Sequence, residues 1–287
     1  MIQSLVSGIL TGGLYSMIAI GVSLNWGMLG VINLAHFSLT FLAAYVSYEF
    51  SMRTGQDPFV SLLFTVPLFF MIGLALQWFF EKFHIEHFTS LLVTFGLFVI
   101  LESIMRQIWT ADVQNPLPDT IVPYRVQSLH FGGVSLRLPL LGVFLAAVVV
   151  SIATWLFLER TYEGKALRAI SQDPTIAAAF GVNHRMMALL LGGIIGSYAA
   201  IAGVFVAMIR LLDPSGATEF IGVVFAVVIL GGLGNTLGAF SGGVIIGIAH
   251  GFTSATIGTQ FAPLVTFSLL IAVLLFKPEG LFTRRST

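Results

Sequence analysis

Long apolar stretches separated by short polar breaks run through the whole sequence and set its predicted architecture. The stretches are continuous rather than alternating, which is typical of helices and not of a membrane β-barrel. Most approach the roughly 20 residues that a helix needs to cross the hydrocarbon core. We therefore predict an all-α polytopic membrane protein with about eight or nine transmembrane helices, including broken or re-entrant segments. The predicted segments are 4–24, 29–50, 59–80, 88–110, 138–158, 186–209, 220–235, 238–257 and 260–276.

Two of these segments, 29–50 and 220–235, are less regular than the others. The first is either a plain span or a re-entrant segment, and its polar residues either line a pore or satisfy the backbone of a kinked helix. The second ends in a glycine-rich stretch, which is either a broken helix beside a cavity or a plain turn between spans. The candidates for a translocation path are Asn33, His36, Gly231, Gly232, Gly234 and Asn235.

Basic residues near the segment ends favour one orientation. With the 159–185 loop in the cytoplasm, more basic residues lie inside than outside, which is the bias expected of membrane proteins. Nine crossings then put the N-terminus outside, whereas a second segment that does not cross would put it inside. The inside set is Lys82, Arg160, Lys165, Arg168, Arg185, Lys277, Arg284 and Arg285, and the outside set is Arg53, Arg106, Arg125, Arg137 and Arg210.

Composition narrows the possible functions. Hydrophobic residues make up 57% of the chain and charged residues 9%, against about 25% charged in soluble domains. Residues 1–287 are therefore predicted to form one transmembrane domain. The net charge is zero and there is no cysteine, so neither a nucleic-acid surface nor thiolate chemistry is expected. Metalloprotease, catalytic-triad and phosphate-loop patterns are missing, so we expect no catalytic residues, no metal and no cofactor.

Other polar and small residues have mainly structural interpretations. Glu102 and Arg106 lie one turn apart, and they fit either a functional intramembrane charge or a structural ion pair near the outer end. His84 and His87 are expected to be solvated, because a metal site needs further ligands. Glycines four residues apart predict close helix packing in lipid. These pairs are Gly8/Gly12, Gly192/Gly196, Gly238/Gly242, Gly243/Gly247 and Gly247/Gly251.

Two connections are longer than turns. Residues 110–138 are rich in proline and glycine and predict an irregular external loop over the bundle. In the 159–185 loop, Asp173 followed by Pro174 signals the start of a short helix that Gly181 closes with a left-handed cap. A second short helix is predicted over 164–170. The two helices either rest on lipid headgroups or dock a cytoplasmic partner.

The 159–185 loop resembles the coupling loop of ABC-importer permeases. The whole chain resembles one family of these, the permeases of branched-chain amino-acid ABC importers (the Liv type). Each motif is weak by itself, but their order and spacing together are specific. The motifs are GGLYSMIAIG at 12–21, GVINLAH at 30–36, GKALRAI at 164–170 with Asp173, AAAFGVN at 177–183, residues 199–203, VILGGLGN at 228–235 with Gly238-Ala239, and KPEGLF at 277–282.

The resemblance implies a permease subunit in the cell inner membrane that carries branched-chain or other small apolar amino acids. Its implied partners are a second homologous permease, two ABC ATPase subunits that hydrolyse ATP, and an extracytoplasmic solute-binding protein. Phe37 and Ser38 stand where such permeases often carry Gly and Glu, so urea, short amides and aromatic acids stay as alternative solutes. The residues implied in coupling to the ATPase are Gly164, Arg168, Asp173, Pro174, Ala177, Ala178 and Gly181.

A channel and a secondary transporter are the two alternative classes of membrane protein. An ion or water channel would not need a long loop with capped helices. A secondary transporter would usually show internal repeats and buried ionisable groups, and only Glu102 is a candidate for such a group. Because the predicted spans have almost no charge away from their ends, we also predict that the permeating solute carries no net charge.

Overall fold

The computed structural model describes residues 1–85, 87–109, 117–124, 126–131, 133–277 and 280–282. These residues form α-helices, one small β-hairpin and two short 3₁₀ turns, Pro214–Gly216 and Thr259–Phe261. The hairpin pairs β1 (Ser128–Phe131) with β2 (Val134–Arg137). The helices are α1 (Ile2–Leu29), α2 (Ala35–Thr54), α3 (Pro58–Lys82), α4 (His87–Trp109), α5 (Leu138–Arg160), α6 (Tyr162–Gln172), α7 (Pro174–Ala179), α8 (His184–Ile209), α9 (Ala217–Gly231), α10 (Thr236–Thr256) and α11 (Ala262–Phe276).

Eight helices in the described part of the chain are long and apolar enough to cross a membrane, which confirms the predicted all-α membrane fold. They are α1, α3, α4, α5, α8, α10, and α9 and α11 with the 3₁₀ turns before them. The predicted segment 29–50 corresponds to α2, which has 20 residues but is not among the eight candidate membrane-spanning helices. Helices α3, α4 and α8 surround it, so α2 faces protein instead of lipid.

Contacts between distant segments distinguish two ends of the bundle, which we name outer and inner after the orientation predicted from the sequence. At the outer end, Gln3 at the start of α1 donates to the Ser135 carbonyl and accepts from the Ser135 N–H, both at 2.8 Å. At the inner end, the Gly234 N–H donates to the Ser23 carbonyl at 3.1 Å. The 159–185 loop shares a cavity with Gly234. The start of α1 and this loop therefore lie at opposite ends of the bundle. Of the basic residues counted above, Arg125, Arg284 and Arg285 lie outside the described residues.

Glycines bring α1 and α10 into backbone contact. A Cβ added at Gly8 would overlap the Gly247 carbonyl, and one added at Gly12 would overlap the Gly243 carbonyl. A similar contact joins α3 to α8, where a Cβ at Gly73 would overlap the α8 backbone. The predicted role of these glycines in helix packing is confirmed. Close backbone approach strengthens the van der Waals contacts that hold helices together in lipid.

The α1–α2 connection, residues 30–34, is non-helical backbone inside the protein. Two hydroxyls on α4 supply the hydrogen bonds that a helix would have made. The Ile32 N–H donates to Ser90 Oγ at 3.3 Å, and the Leu34 N–H donates to Thr94 Oγ1 at 3.1 Å. Thr94 Oγ1 also donates to the Ile32 carbonyl at 3.0 Å. Buried non-helical backbone needs such hydrogen-bond partners. Helix α2 begins at Ala35, six residues after the start of the predicted segment 29–50.

The 110–138 connection is more ordered than predicted. Its last part is the β-hairpin that leads into α5. Before the hairpin, the Tyr124 hydroxyl donates to Asp57 Oδ2 at 2.7 Å, while Asp57 Oδ1 accepts from the Phe59 N–H and caps α3. Burial and this hydrogen bond raise the pKa of the Tyr124 phenol, so it stays protonated and donating. Residues 110–116, 125 and 132 lie outside the described part.

Candidate translocation site and coupling loop

The 159–185 loop folds into two short helices, as predicted. Asp173 caps α7, because its Oδ1 accepts from the N–H groups of Thr175 at 2.8 Å and Ile176 at 3.0 Å. Pro174 takes the first helical position, and Gly181 follows the helix with a φ of 83°. The helix predicted over 164–170 is longer, because α6 begins at Tyr162 and ends at Gln172.

Helix α6 is attached firmly to the inner end of α5. A Cβ added at Gly164 would overlap the α5 backbone at Phe157. The Arg168 guanidinium donates to both carboxylate oxygens of Glu159, at 2.8 and 3.1 Å. Leu167 is 1% exposed and belongs to the main hydrophobic core. Any displacement of α6 will therefore displace the end of α5.

Helix α7 has one buried face and one exposed face. Ala177 is 3% exposed and packs against the rest of the protein, whereas Ile176 is 58% and Phe180 82% exposed. Ala178 is also exposed. Of the predicted coupling residues, Gly164, Arg168 and Ala177 thus hold the loop together, and Ala178 lies on its free surface.

The glycine-rich stretch 231–235 is a turn between two antiparallel helices, α9 and α10. Gly232 and Gly234 have φ values of 92° and 74°, which suit glycine. The Asn235 side chain caps α10 by accepting from the Gly238 N–H at 2.9 Å and donates to the Phe282 carbonyl at 2.9 Å. The stretch therefore combines features of both alternatives, because it is a turn between two helices and also lies beside a cavity. It packs against the inner end of α1 and lines a cavity of about 560 Å³ beside α6.

The other two path candidates, Asn33 and His36, lie elsewhere, in a buried group that also contains Asn25 and Gln77. We call these four residues the inner polar cluster. Their exposed fractions are 7%, 1%, 4% and 4%. They line a cavity of about 10 Å³ between α1, α2, α3 and α8, which is room for roughly one water molecule. Among the described residues, Asn25 Oδ1 and Asn33 Oδ1 have no hydrogen-bond partner.

A larger polar space lies nearer the outer end. Two cavities, of about 520 and 810 Å³, share the lining residues Thr11, Tyr15, Arg210 and Glu219, and we call them together the outer cavity. Arg210 Nη2 donates to Glu219 Oε2 at 2.6 Å. Beside them, His250 Nδ1 and the Tyr15 hydroxyl lie 3.2 Å apart. Volumes of this size are typical of small-molecule sites.

The charged pair in the outer cavity lies deep in the bundle. Tyr15 is at the middle of α1, which has 28 residues, and its ring packs on Phe220 with centroids 6.2 Å apart. The Arg210 guanidinium lies 5.2 Å from the same Phe220 ring. Helix α1 spans about 42 Å, more than the hydrocarbon core. Arg210, which the sequence places just after a predicted span, therefore lies beside the middle of a helix that is long enough to cross a membrane.

Aromatic rings on α2 and α9 lie between the two polar regions. Phe41 and Phe220 have ring centroids 5.7 Å apart, and Phe37 and Phe225 have centroids 6.1 Å apart. Phe41 also lines the outer cavity, while Phe37 follows His36 of the inner polar cluster. The Phe37 ring also lies 6.4 Å from the His36 ring, so a chain of aromatic contacts connects the outer cavity to the cluster.

The remaining polar candidates have structural positions. Glu102 pairs with Arg106 at 2.5 Å, and Arg106 also donates to the Ser215 hydroxyl at 2.6 Å. The pair therefore joins α4 to the 3₁₀ turn before α9. His84 is exposed, and the side chain of His87 lies outside the described part. The described residues contain no group of three or more His, Cys, Asp or Glu side chains that would suit a metal ion.

The bundle, its polar cavities and the helical loop at one end define a multi-pass membrane permease. The sequence model of the branched-chain amino acid transport system permease component matches residues 4–276. The chain belongs to this family. It is thus a transport subunit of an ABC system and not an enzyme, and membership implies partners of the ABC type.

Curated relatives match over nearly the whole chain. The high-affinity branched-chain amino acid transport system permease protein BraD of Pseudomonas aeruginosa is 26% identical over 99% of this chain and 96% of its own length. The corresponding LivH of Escherichia coli is 27% identical over the same shares. A probable LivH of Methanocaldococcus jannaschii is 25% identical over 96% of this chain and 91% of its own. No solved structure gives a significant match.

Proposed function

We propose that the chain is one permease subunit of an inner-membrane importer for branched-chain or other small apolar amino acids. It would pair with a second homologous permease and receive solute from an extracytoplasmic binding protein. Two ATPase subunits would dock on the loops that contain α6 and α7. The observation that carries the proposal is the family match over residues 4–276, together with relatives named for branched-chain amino acids.

The structure of the 159–185 loop supports its role as the coupling element. Helix α7 offers an exposed surface around Ile176, Ala178 and Phe180, while α6 is fixed to α5 through Arg168 and Glu159. An ATPase that moves α7 would therefore move the inner end of α5. Alternating access then follows as a population shift, because ATP-bound and ATP-free ATPases each bind one state of the permease better.

The docking role is tested by Ala178→Arg, which adds a bulky charge to the exposed face of α7. We expect the ATPase to detach or uncouple while the permease stays folded, as measured by co-purification and by uptake of labelled leucine in reconstituted vesicles. Gln56→Arg is the matched control, because it adds the same charge to an exposed turn at the outer end. Normal association and transport by Ala178→Arg would contradict the docking role.

Urea, short amides and aromatic acids are the alternative solutes, because Phe37 and Ser38 follow His36. The outer cavity favours amino acids among these, since it holds one positive and one negative side chain. Competition against leucine uptake in vesicles that carry the full complex separates the solutes. If an aromatic carboxylate is carried best and leucine is not carried, the proposed substrate class is wrong.

A further inference from the structure

We propose that Arg210 and Glu219 form a subsite for a zwitterion, in which the guanidinium binds the carboxylate of the solute and the carboxylate binds its ammonium group. The proposal rests on the proposed function, because it names the chemistry by which this permease recognises an amino acid. Neither residue belongs to the predicted path candidates or to the coupling loop.

The first support is that the ion pair opens onto the outer cavity. The two side chains bond each other at 2.6 Å, yet 40% of Arg210 and 66% of Glu219 remain exposed. An ion pair with this exposure contributes little to stability. Both side chains line both parts of the outer cavity. A solute in this space reaches the two opposite charges at once.

The second support is the position of the pair beside the middle of α1, a helix long enough to cross a membrane. Charged side chains at membrane depth are costly, and by default they point to function. The Phe220 ring supports the Arg210 guanidinium at 5.2 Å by a cation–π contact. Arg210 therefore keeps its place when Glu219 turns to an ammonium group, and its planar fork matches a carboxylate.

The pair selects solutes by their pattern of charge, because its own net charge is zero. An anionic solute would leave Glu219 unpaired, and a cationic solute would leave Arg210 unpaired, so each loses one of the two ionic contacts that a zwitterion makes. A neutral amide replaces neither ionic contact. Leu14, Phe41 and Leu140 line the same space and offer an apolar surface for a hydrocarbon side chain.

The test measures ligand binding to the assembled permease–ATPase complex in lipid nanodiscs, without the solute-binding protein. The probes share one branched carbon skeleton: leucine, 4-methylpentanoate without the amine, 3-methylbutylamine without the carboxylate, and the neutral 4-methylpentanamide. We expect wild type to bind leucine at least about tenfold more tightly than each of the others, which corresponds to about 1.4 kcal/mol. Equal or tighter binding of the amide would overturn the proposal.

Two neutralising variants should change the ranking in opposite directions. Glu219→Gln should favour 4-methylpentanoate over leucine, and Arg210→Gln should favour 3-methylbutylamine. Arg210→Lys and Glu219→Asp keep the charges, so leucine should stay first with weaker binding. Glu102→Gln is the control, because it breaks an ion pair that does not line the outer cavity, and its ranking should match wild type.

A purely structural ion pair would change stability but not the ranking of the probes. An unchanged ranking in both Gln variants therefore overturns the subsite. If the Gln variants do not fold, unchanged leucine affinity in both the Lys and Asp variants overturns it instead. Leucine uptake by the wild-type complex with its binding protein tests the proposed function separately. Uptake with unchanged rankings rejects the subsite alone, whereas absence of uptake rejects the proposed function.

Discussion

The outer cavity and the inner polar cluster accommodate polar groups in opposite ways. The outer cavity holds full charges, on Arg210 and Glu219, in open spaces of about 520 and 810 Å³. The inner polar cluster holds neutral amides and an imidazole around about 10 Å³. Charge at membrane depth needs water, a partner or a solute, while uncharged dipoles tolerate a closed site at lower cost. If Arg210 and Glu219 form the proposed subsite, the outer cavity is the region that meets the solute, while the inner polar cluster has room for roughly one water molecule.

Adding a carboxylate to each region should give the largest difference in stability between the inner polar cluster and the outer cavity. Asn25→Asp places the charge where the side chain is 4% exposed, and we expect a loss of about 3 kcal/mol or more in the free energy of unfolding. Leu211→Asp lies in the outer cavity at 56% exposure and should cost less than about 1 kcal/mol. Thermal unfolding of the detergent-purified protein measures both, and equal losses would refute the contrast.

The closed inner end can be tested at the contact between α1 and the 231–235 turn. A Cβ at Gly27 would overlap the Gly234 backbone, so Gly27→Ala should cost about 1–3 kcal/mol by overpacking. At Gly234 itself a Cβ meets Gly27 only at 3.4–3.5 Å, so Gly234→Ala should cost about 1–2 kcal/mol through its left-handed backbone. The larger Gly234→Leu should abolish leucine uptake and still insert into the membrane. Normal leucine uptake by Gly234→Leu would show that the 231–235 turn only connects α9 to α10 and has no role in transport.

The smallest expected effects compare two hydrogen-bonding side chains outside these regions, Thr94 beside the buried α1–α2 connection and Tyr124 near the outer surface. Thr94→Val leaves the Leu34 N–H and the Ile32 carbonyl without their α4 partner, which should cost about 1–3 kcal/mol because both groups are inside the protein. Tyr124→Phe removes one hydrogen bond to Asp57 near the outer surface and should cost about 1 kcal/mol or less. Chemical unfolding of the purified variants gives the two values. A larger loss for Tyr124→Phe than for Thr94→Val would contradict the view that polar groups are held more stringently at the buried connection than near the outer surface.

Local signals in the sequence predicted the spans and the loop helices well. Runs of apolar residues set the helices, and Asp173, Pro174 and Gly181 set both ends of α7 through contacts within a few residues. The glycine pairs likewise predicted where helices approach closely. Each of these features depends on residues that are close together in the amino-acid sequence, so the sequence alone is enough to predict it.

The outer cavity was missed because its residues come together only through the unequal lengths of the helices. Arg210 and Glu219 flank the predicted segments 186–209 and 220–235, and Arg210 was predicted outside. Helix α9 has only 15 residues, against 28 in α1, and its first turn places Glu219 beside the middle of α1. Asn25 and Gln77 were missed because single amides inside long apolar spans give no periodic signal. Their only sign in the sequence is a polar residue within an otherwise apolar run.

The polarity of α2 has a consequence for how the protein is made. Helix α2 buries several hydroxyl-bearing and other polar side chains: His36, Ser38, Thr40, Ser47 and Ser51. A newly synthesised helix of this kind partitions poorly from the translocon into lipid by itself. One of its partners, Ser61 at 2.7 Å from Ser47, comes with α3, while the covering surface of α8 emerges much later. Stable insertion of α2 must therefore wait for helices that follow it in the chain, and the topology of the N-terminal half is completed late in synthesis.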